Sequence, residues 1–388
     1  MKQEIVTHLS MLKDEIFDLS KYLYENPEKS FQEYKACNYI VNMLKKNNFK
    51  VTENYLEIPT AFYAQYGTGH PKICYLCEYD AIDKEGHIVG HNLISAISLG
   101  AAISLSKVVP KINGSVIVIG CPGEFLGSSK VTMTKQGTFN DIDVVLMAHP
   151  DVITAESGSS MAIVPIKITY KSKEGFAYRK SKGHSALDAC LFTFNTLELL
   201  SKGFEEDTSI DGVILRGGSS PYLLPSETES KFYIRAPKMN AACNIEKKLR
   251  ELVKITSSIM EIESDICLYE LPYDELVPNK VLSRIFSHNL KESGIIEIAP
   301  PKDTNSGLSL GTVSQVVPCI HPYISITEDN KVPYSSSEFA KATVSDFAQD
   351  RVMKTAQALA LTGFDLSENE SLLSQVKTEF FNNKKETV

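Results

Sequence analysis

Short apolar segments alternate with helical stretches along most of this chain, and that alternation narrows the fold more than any other feature. Residues 61–66, 72–77, 115–121 and 143–148 are short, apolar and rich in Val, Ile, Leu and Tyr, as buried strands are. Residues 5–24, 33–47 and 93–108 carry apolar side chains at three and four spacing, which predicts helices laid over a sheet. Strands and helices in this order describe a doubly wound α/β sheet. From about Ala162 the rhythm changes to strand 162–171, helix 186–201, strands 212–216 and 227–236, helix 244–260 and strand 265–270. That β-α-β-β-α-β unit is ferredoxin-like. The alternation resumes after Pro278 with helix 280–293, strand 315–317 and a last helix at 338–361. The expected fold is therefore a doubly wound mixed α/β domain made of residues 1–161 and 275–388, interrupted by a ferredoxin-like α+β domain at 162–274.

Length supports that division, because 388 residues exceed what one hydrophobic core normally organises. Forty basic against 48 acidic residues give a formal charge of -8, with no cationic cluster dense enough to follow a phosphate backbone, so nucleic acid is not an expected partner. Residues 1–20 mix charge with apolar side chains at helical spacing and have neither the apolar core of a signal peptide nor a membrane span. A cytoplasmic protein without a membrane partner is the expectation. The eight cysteines are too sparse for a disulfide scaffold. Cys74 and Cys77 have CxxC spacing, but on a strand residues three apart face opposite ways, which argues against a redox pair.

In open α/β sheets, chemistry gathers where loops leave the carboxyl ends of the strands. Three such loops carry polar residues: Glu78, Tyr79 and Asp80 leading to His87 and His91; Gly123 and Glu124; and His149 before Pro150. Histidines and carboxylates converging from different strands suit a metal site or an acid–base site. A single histidine at a strand end is more often a hydrogen-bonded structural residue than a ligand. By residue type His184 and His321 are further candidates; His184 precedes a helix and reads as a surface or capping environment.

The segments YLYENPEKSFQEYKACNYI, CEYDA, GHIVGHN, PGEFLG, LMAHP, IHPYI and SSEFAKAT, in that order, resemble the signature segments of M20 peptidases, in the branch that cleaves N-acyl amino acids and dipeptides. The resemblance runs from about Tyr22 to Phe347. It implies a catalytic-type domain with an inserted lid that can mediate dimerisation. It also implies a pair of divalent metals polarising an amide carbonyl, with a glutamate as general base. Carried over residue by residue, His91 and His149 stand at two ligand positions and Glu124 at the base position, while Asp80 supports the centre from behind.

Other positions depart from the pattern. Val89 stands for a ligand cysteine, Phe125 for a ligand glutamate and Ser335 for a ligand histidine. None of these replaces the lost donor well. Phe176 stands where the family's lid supplies an oxyanion-stabilising histidine, Tyr222 where it has an asparagine, Ser309 where the resemblance places an aspartate, and Tyr24 where it often has a histidine. Two imidazoles do not balance two dications, so the expected cofactor is none, or at most one weakly held zinc, manganese or cobalt ion kept by His91 and His149 with His87, Glu78 or Asp80 swinging in.

Three functions remain open. The protein is a degenerate family member that binds an amino acid, peptide or N-acyl amino acid, or that pairs with a partner; a metal-free enzyme repurposed around Glu124; or a metal-dependent dipeptidase or aminoacylase with an unusual ligand set. Glu124 is read accordingly as a vestigial or repurposed base, or as a carboxylate held by the backbone amides of its turn. A homodimer through the lid and a monomer are both compatible with the sequence.

Overall fold

The computed structural model describes residues 1–178, 183–329 and 331–386. The chain divides into two compact units, Met1–Ser159 with Val277–Asp303 and Thr312–Val388, and Ser160–Leu276 with Thr304–Gly311.

The first unit is built on a six-stranded sheet in the spatial order Lys50–Glu53, Phe62–Gly67, Ser115–Gly120, Lys72–Cys77, Val144–Leu146, Cys319–Ile320. The last four run parallel to one another, and the first two are antiparallel additions at one edge. Ser115–Gly120 is buried along its whole length, as a strand covered on both faces must be, which explains its unbroken apolar sequence. Helix His91–Ser106 is likewise buried on every side. Residues 91–111 form the one stretch, among those described, long and apolar enough to cross a membrane, and the fold uses it as a core helix. Burying its aliphatic side chains contributes about 1.5–3 kcal/mol each. Gly100 makes the close packing practicable: a Cβ there would lie 3.1 Å from the Ala356 Cβ and 3.3 Å from Leu9.

A second, smaller sheet in this unit has the order Ala299–Lys302, Ala155–Ser157, Tyr323–Ser325, His149–Asp151. Its strands are too short to show a period, and the sequence did not reveal them. Three other expectations need correction. Residues 5–24 form two helices, Lys2–Met11 and Lys13–Glu25, which meet at Leu12. The strand expected at 315–317 is instead Cys319–Ile320, after a short helix Leu310–Ser314. The helix expected at 338–361 is two, Ser337–Ala342 and Asp346–Glu368, because Ser345 caps a new start by accepting from the Ala348 amide; a further helix, Glu370–Glu386, follows.

The second unit has a four-stranded antiparallel sheet ordered Glu263–Leu268, Ala162–Lys171, Glu227–Ala236, Ser209–Arg216, with helices Ala186–Ser201 and Met239–Met260 packed on it. Alternating burial along Glu227–Ala236 shows one face turned to the helices and the other more exposed. Ser185 and Asp188 form a reciprocal capping box at the start of Ala186–Ser201, and the preceding His184 is exposed.

Candidate active site

Because four neighbouring strands of the larger sheet run parallel, their carboxyl ends open on one edge. Ser115–Gly120 leads to Glu124, Lys72–Cys77 to Glu78 and Asp80, Val144–Leu146 to His149, and Cys319–Ile320 to His321. His91 begins the buried helix that follows the loop from Asp80. The polar residues singled out in these loops are thus brought together by sheet topology, all within the first unit.

At the centre is a chain of charge contacts. The Nδ1 of His91 lies 2.8 Å from Asp80 Oδ1, and its Nε2 lies 3.4 Å from Glu78 Oε2. Asp80 Oδ2 accepts from the Ser30 hydroxyl at 2.7 Å and from the Phe125 amide at 3.0 Å. The other oxygen of Glu78 lies 2.6 Å from Lys130 Nζ, and the same ammonium lies 2.5 Å from Glu124 Oε2. The side chains of Lys130 and Asp80 are fully buried, those of Glu78 and His91 are 3% exposed, and that of Glu124 is 17% exposed. Glu124 is therefore held by an ammonium, a partner that the sequence reading did not anticipate.

Burial and charge oppose each other here. Burial would raise Asp80, but the hydrogen bond and charge of His91, with the Ser30 and Phe125 donors, hold it at about 2. Burial disfavours a charged His91, yet Asp80, Glu78 and Glu124 raise the ring to about 9. Desolvation likewise opposes the Lys130 charge, and Glu124 and Glu78 more than offset it, so the ammonium is retained. Burial raises Glu78, with Lys130 acting against it. His149 is brought down to about 4 by burial and by the nearby His91 charge.

Of the residues at lost ligand positions, Phe125 stacks its ring on His91, centroid to centroid 4.7 Å. Val89 is half-buried in the segment between His87 and His91, and Ser335 is exposed with a left-handed φ of 61°. His149 holds its Nδ1 on the Pro150 carbonyl at 2.7 Å, with its ring 6.2 Å from that of His91 and 5.2 Å from that of His321. Neither ring nitrogen of buried His87 meets a hydrogen-bond partner. Among the described residues no three His, Cys, Asp or Glu side chains converge as a metal cage. In the second unit, Phe176 is 43% exposed with its ring tilted against that of Tyr178 at 5.4 Å, Tyr222 is 71% exposed, and Ser309 is buried.

Two features escaped the sequence reading. Lys130 is the second residue of helix Ser129–Lys135, in a stretch with the composition of a solvated helix. Lys302 pairs with buried Asp151 and lies over the Tyr323 ring at 4.7 Å, next to His149. Only the capping signal at Ser128, which accepts from the Lys130 amide, marks the helix start, and it does not say where the lysine points.

No protein-family model matches the chain. The mouse protein named Xaa-Arg dipeptidase is 29% identical over 398 residues, covering 98% of this chain and 92% of the relative. One of the subunits of p-aminobenzoyl-glutamate hydrolase from Escherichia coli K12 is 28% identical over 303 residues, 72% of this chain and 63% of that one. A dinuclear metal binding peptidase of the M20 family from Bacillus subtilis superposes with a TM-score of 0.65 at 14% identity, over 91% of this chain and 99% of its own. The aminobenzoyl-glutamate utilization protein of Klebsiella pneumoniae does so with a TM-score of 0.69 at 13% identity, over 87% and 96%.

Proposed function

We propose that this chain is a member of the M20 peptidase and amidohydrolase family that works without a dinuclear metal centre, and that its cleft binds an amino acid, a peptide or an N-acyl amino acid. The observation that carries this reading is the state of His91. One ring nitrogen is bound to Asp80, the other faces Glu78, and the Phe125 ring covers one face. A ligand imidazole needs a free lone pair directed at the ion. With Val89 aliphatic and Ser335 exposed, the remaining donors do not fit two cations.

The ligand class follows from the relatives' names, which pair a dipeptide and an aminobenzoyl-glutamate with hydrolysis of an amide joined to an amino acid. Within this cleft, Glu124 is the carboxylate of the charged chain most open to solvent, so it accepts hydrogen bonds from a ligand amide or ammonium while Lys130 holds it in place. The test is hydrolysis of dipeptides and N-acyl amino acids with and without added zinc, manganese or cobalt, alongside calorimetric binding of the same compounds. Binding without metal-stimulated cleavage is expected; metal-stimulated turnover would overturn the reading.

A second reading, metal-free acid–base chemistry at Glu124, draws support from the same partly exposed carboxylate beside an ammonium. Turnover abolished by Glu124→Gln would favour it, and an unchanged rate would remove Glu124 from any mechanism. We also propose self-association through the second unit. Its sheet ends on strand Ser209–Arg216, where Val213 is 52% and Leu215 54% exposed, an edge open to pairing with a second copy.

A further inference from the structure

The small sheet of the first unit has two ends, and they face different surroundings. Strands His149–Asp151 and Tyr323–Ser325 run parallel, with His149 opposite Tyr323 and Asp151 opposite Ser325. Their amino ends bring the His149 and Tyr323 rings to 6.2 Å of each other, at the candidate site. Their carboxyl ends open on another cavity, of about 810 Å³, a size that suits small ligands. Val152, Ser325 and Thr327 line it from these strands and the turns after them, Ile296 and Ile298 from the segment before Ala299–Lys302, and Arg351 from helix Asp346–Glu368.

Two polar groups in this lining are buried without partners. The Thr327 hydroxyl and the Arg351 Nε–H are shut off from solvent and meet no hydrogen-bond partner among the described residues. Unmet buried donors are costly, and a native fold rarely keeps two in one place without a use for them. The guanidinium lies over the Phe347 ring, 5.0 Å from its centroid, which fixes its plane. Burial lowers its pKa from the ordinary value; the carboxylates that favour its charge are Asp350, which pairs with Lys354 at 2.6 Å, and the exposed Glu297. A guanidinium fork matches a carboxylate with two parallel hydrogen bonds, and a hydroxyl adds a third. The lining also holds the exposed carboxylates of Glu297 and Glu328, which repel a multiply charged anion and suit an ammonium on the same ligand. Apolar lining comes from Val152, Ile298 and Ile296, the last 73% exposed.

We propose that this cavity is a second binding site, separate from the cleft, for a free α-amino acid with an apolar side chain. Arg351 and Thr327 take its carboxylate, Glu297 and Glu328 its ammonium, and Val152, Ile296 and Ile298 cover the side chain. The experiment titrates L-leucine into wild type, Arg351→Gln, Thr327→Val and Glu124→Gln by calorimetry, with leucinamide and 4-methylpentanoate as probes lacking the carboxylate and the ammonium. Wild type should bind leucine, Arg351→Gln at least about tenfold more weakly, and Thr327→Val several-fold more weakly. Glu124→Gln should keep the site, because that residue belongs to the cleft. Leucinamide and 4-methylpentanoate should each bind at least about tenfold more weakly than leucine. Leucine binding lost in Glu124→Gln and untouched in Arg351→Gln would put all of it in the cleft, overturning the inference and leaving the proposed function standing. No binding of leucine by wild type at millimolar concentration overturns the inference, whatever dipeptides do at the cleft. Equal binding of either probe overturns it as well. Should Arg351→Gln not fold, Thr327→Val carries the test. With a methyl group in place of the unmet hydroxyl, its unfolding midpoint without ligand should match or exceed that of wild type while its affinity for leucine falls; an unchanged affinity overturns the inference.

Discussion

Glu33 anchors the loop that carries Glu124. It is fully buried and accepts from the Gly123 amide at 2.9 Å with one oxygen and from the Thr60 hydroxyl at 2.8 Å with the other. Burial outweighs those donors and raises the carboxyl from 4.5 to about 7. Below pH 4.5 the group is neutral both folded and unfolded and costs nothing. As the pH rises toward 7 the unfolded chain ionises first, so the stability due to the neutral carboxyl is lost across that window and stays lost above it. At about 1.36 kcal/mol per pH unit, the interval from 4.5 to about 7 corresponds to a loss of about 3 kcal/mol. Glu33→Gln removes this dependence while keeping the contacts, since the amide oxygen still accepts from Gly123 and the amide nitrogen donates to a turned Thr60 hydroxyl. Urea unfolding of both proteins, followed by hydrogen exchange in the first unit, should give matching stabilities near pH 4.5. By pH 8 the variant should lead by up to about 3 kcal/mol. A difference that stays flat from pH 4.5 to 8 would refute the reasoning.

Asp80→Ala leaves the buried His91 ring without its carboxylate and frees the Phe125 amide, so denaturant unfolding should show a loss of about 3–5 kcal/mol, as when one partner of a buried pair is removed. Gly123→Ala forces a side chain into a φ of +77° and places its Cβ 2.3 Å from the Phe31 ring; calorimetry should show weaker ligand binding along with a stability loss of about 1–3 kcal/mol. Leu215→Lys charges the exposed edge strand of the second unit, and light scattering should show a dimer shifted to monomer. An unchanged mass for a dimeric protein would place the interface elsewhere.

The fold was largely legible because period and composition are local. Strand 162–171 and helix 186–201 lie where their patterns begin and end, and strand 72–77 does too. What failed was set by tertiary context. A three-residue strand such as Ala155–Ser157 is too short to show an alternation. In the candidate site, topology made His91, Glu124 and His149 readable, since each follows a strand or the loop from one. Lys130 was not, because its burial is decided by two carboxylates arriving from different strands, and nothing near it in SSKVTMTK distinguishes it from Lys135. Phe125 was readable as an aromatic ring at a ligand position, but its stacking on His91 was not, because that contact is made between segments far apart in sequence.

The most direct test is to count metal in protein purified without chelator from cells supplied with zinc, manganese and cobalt, using elemental analysis referenced to protein concentration. With His91 engaged by Asp80 and Glu78 and an ammonium at the centre of the cleft, the account predicts far less than about one ion per chain. Two ions per chain, retained through desalting, would contradict it.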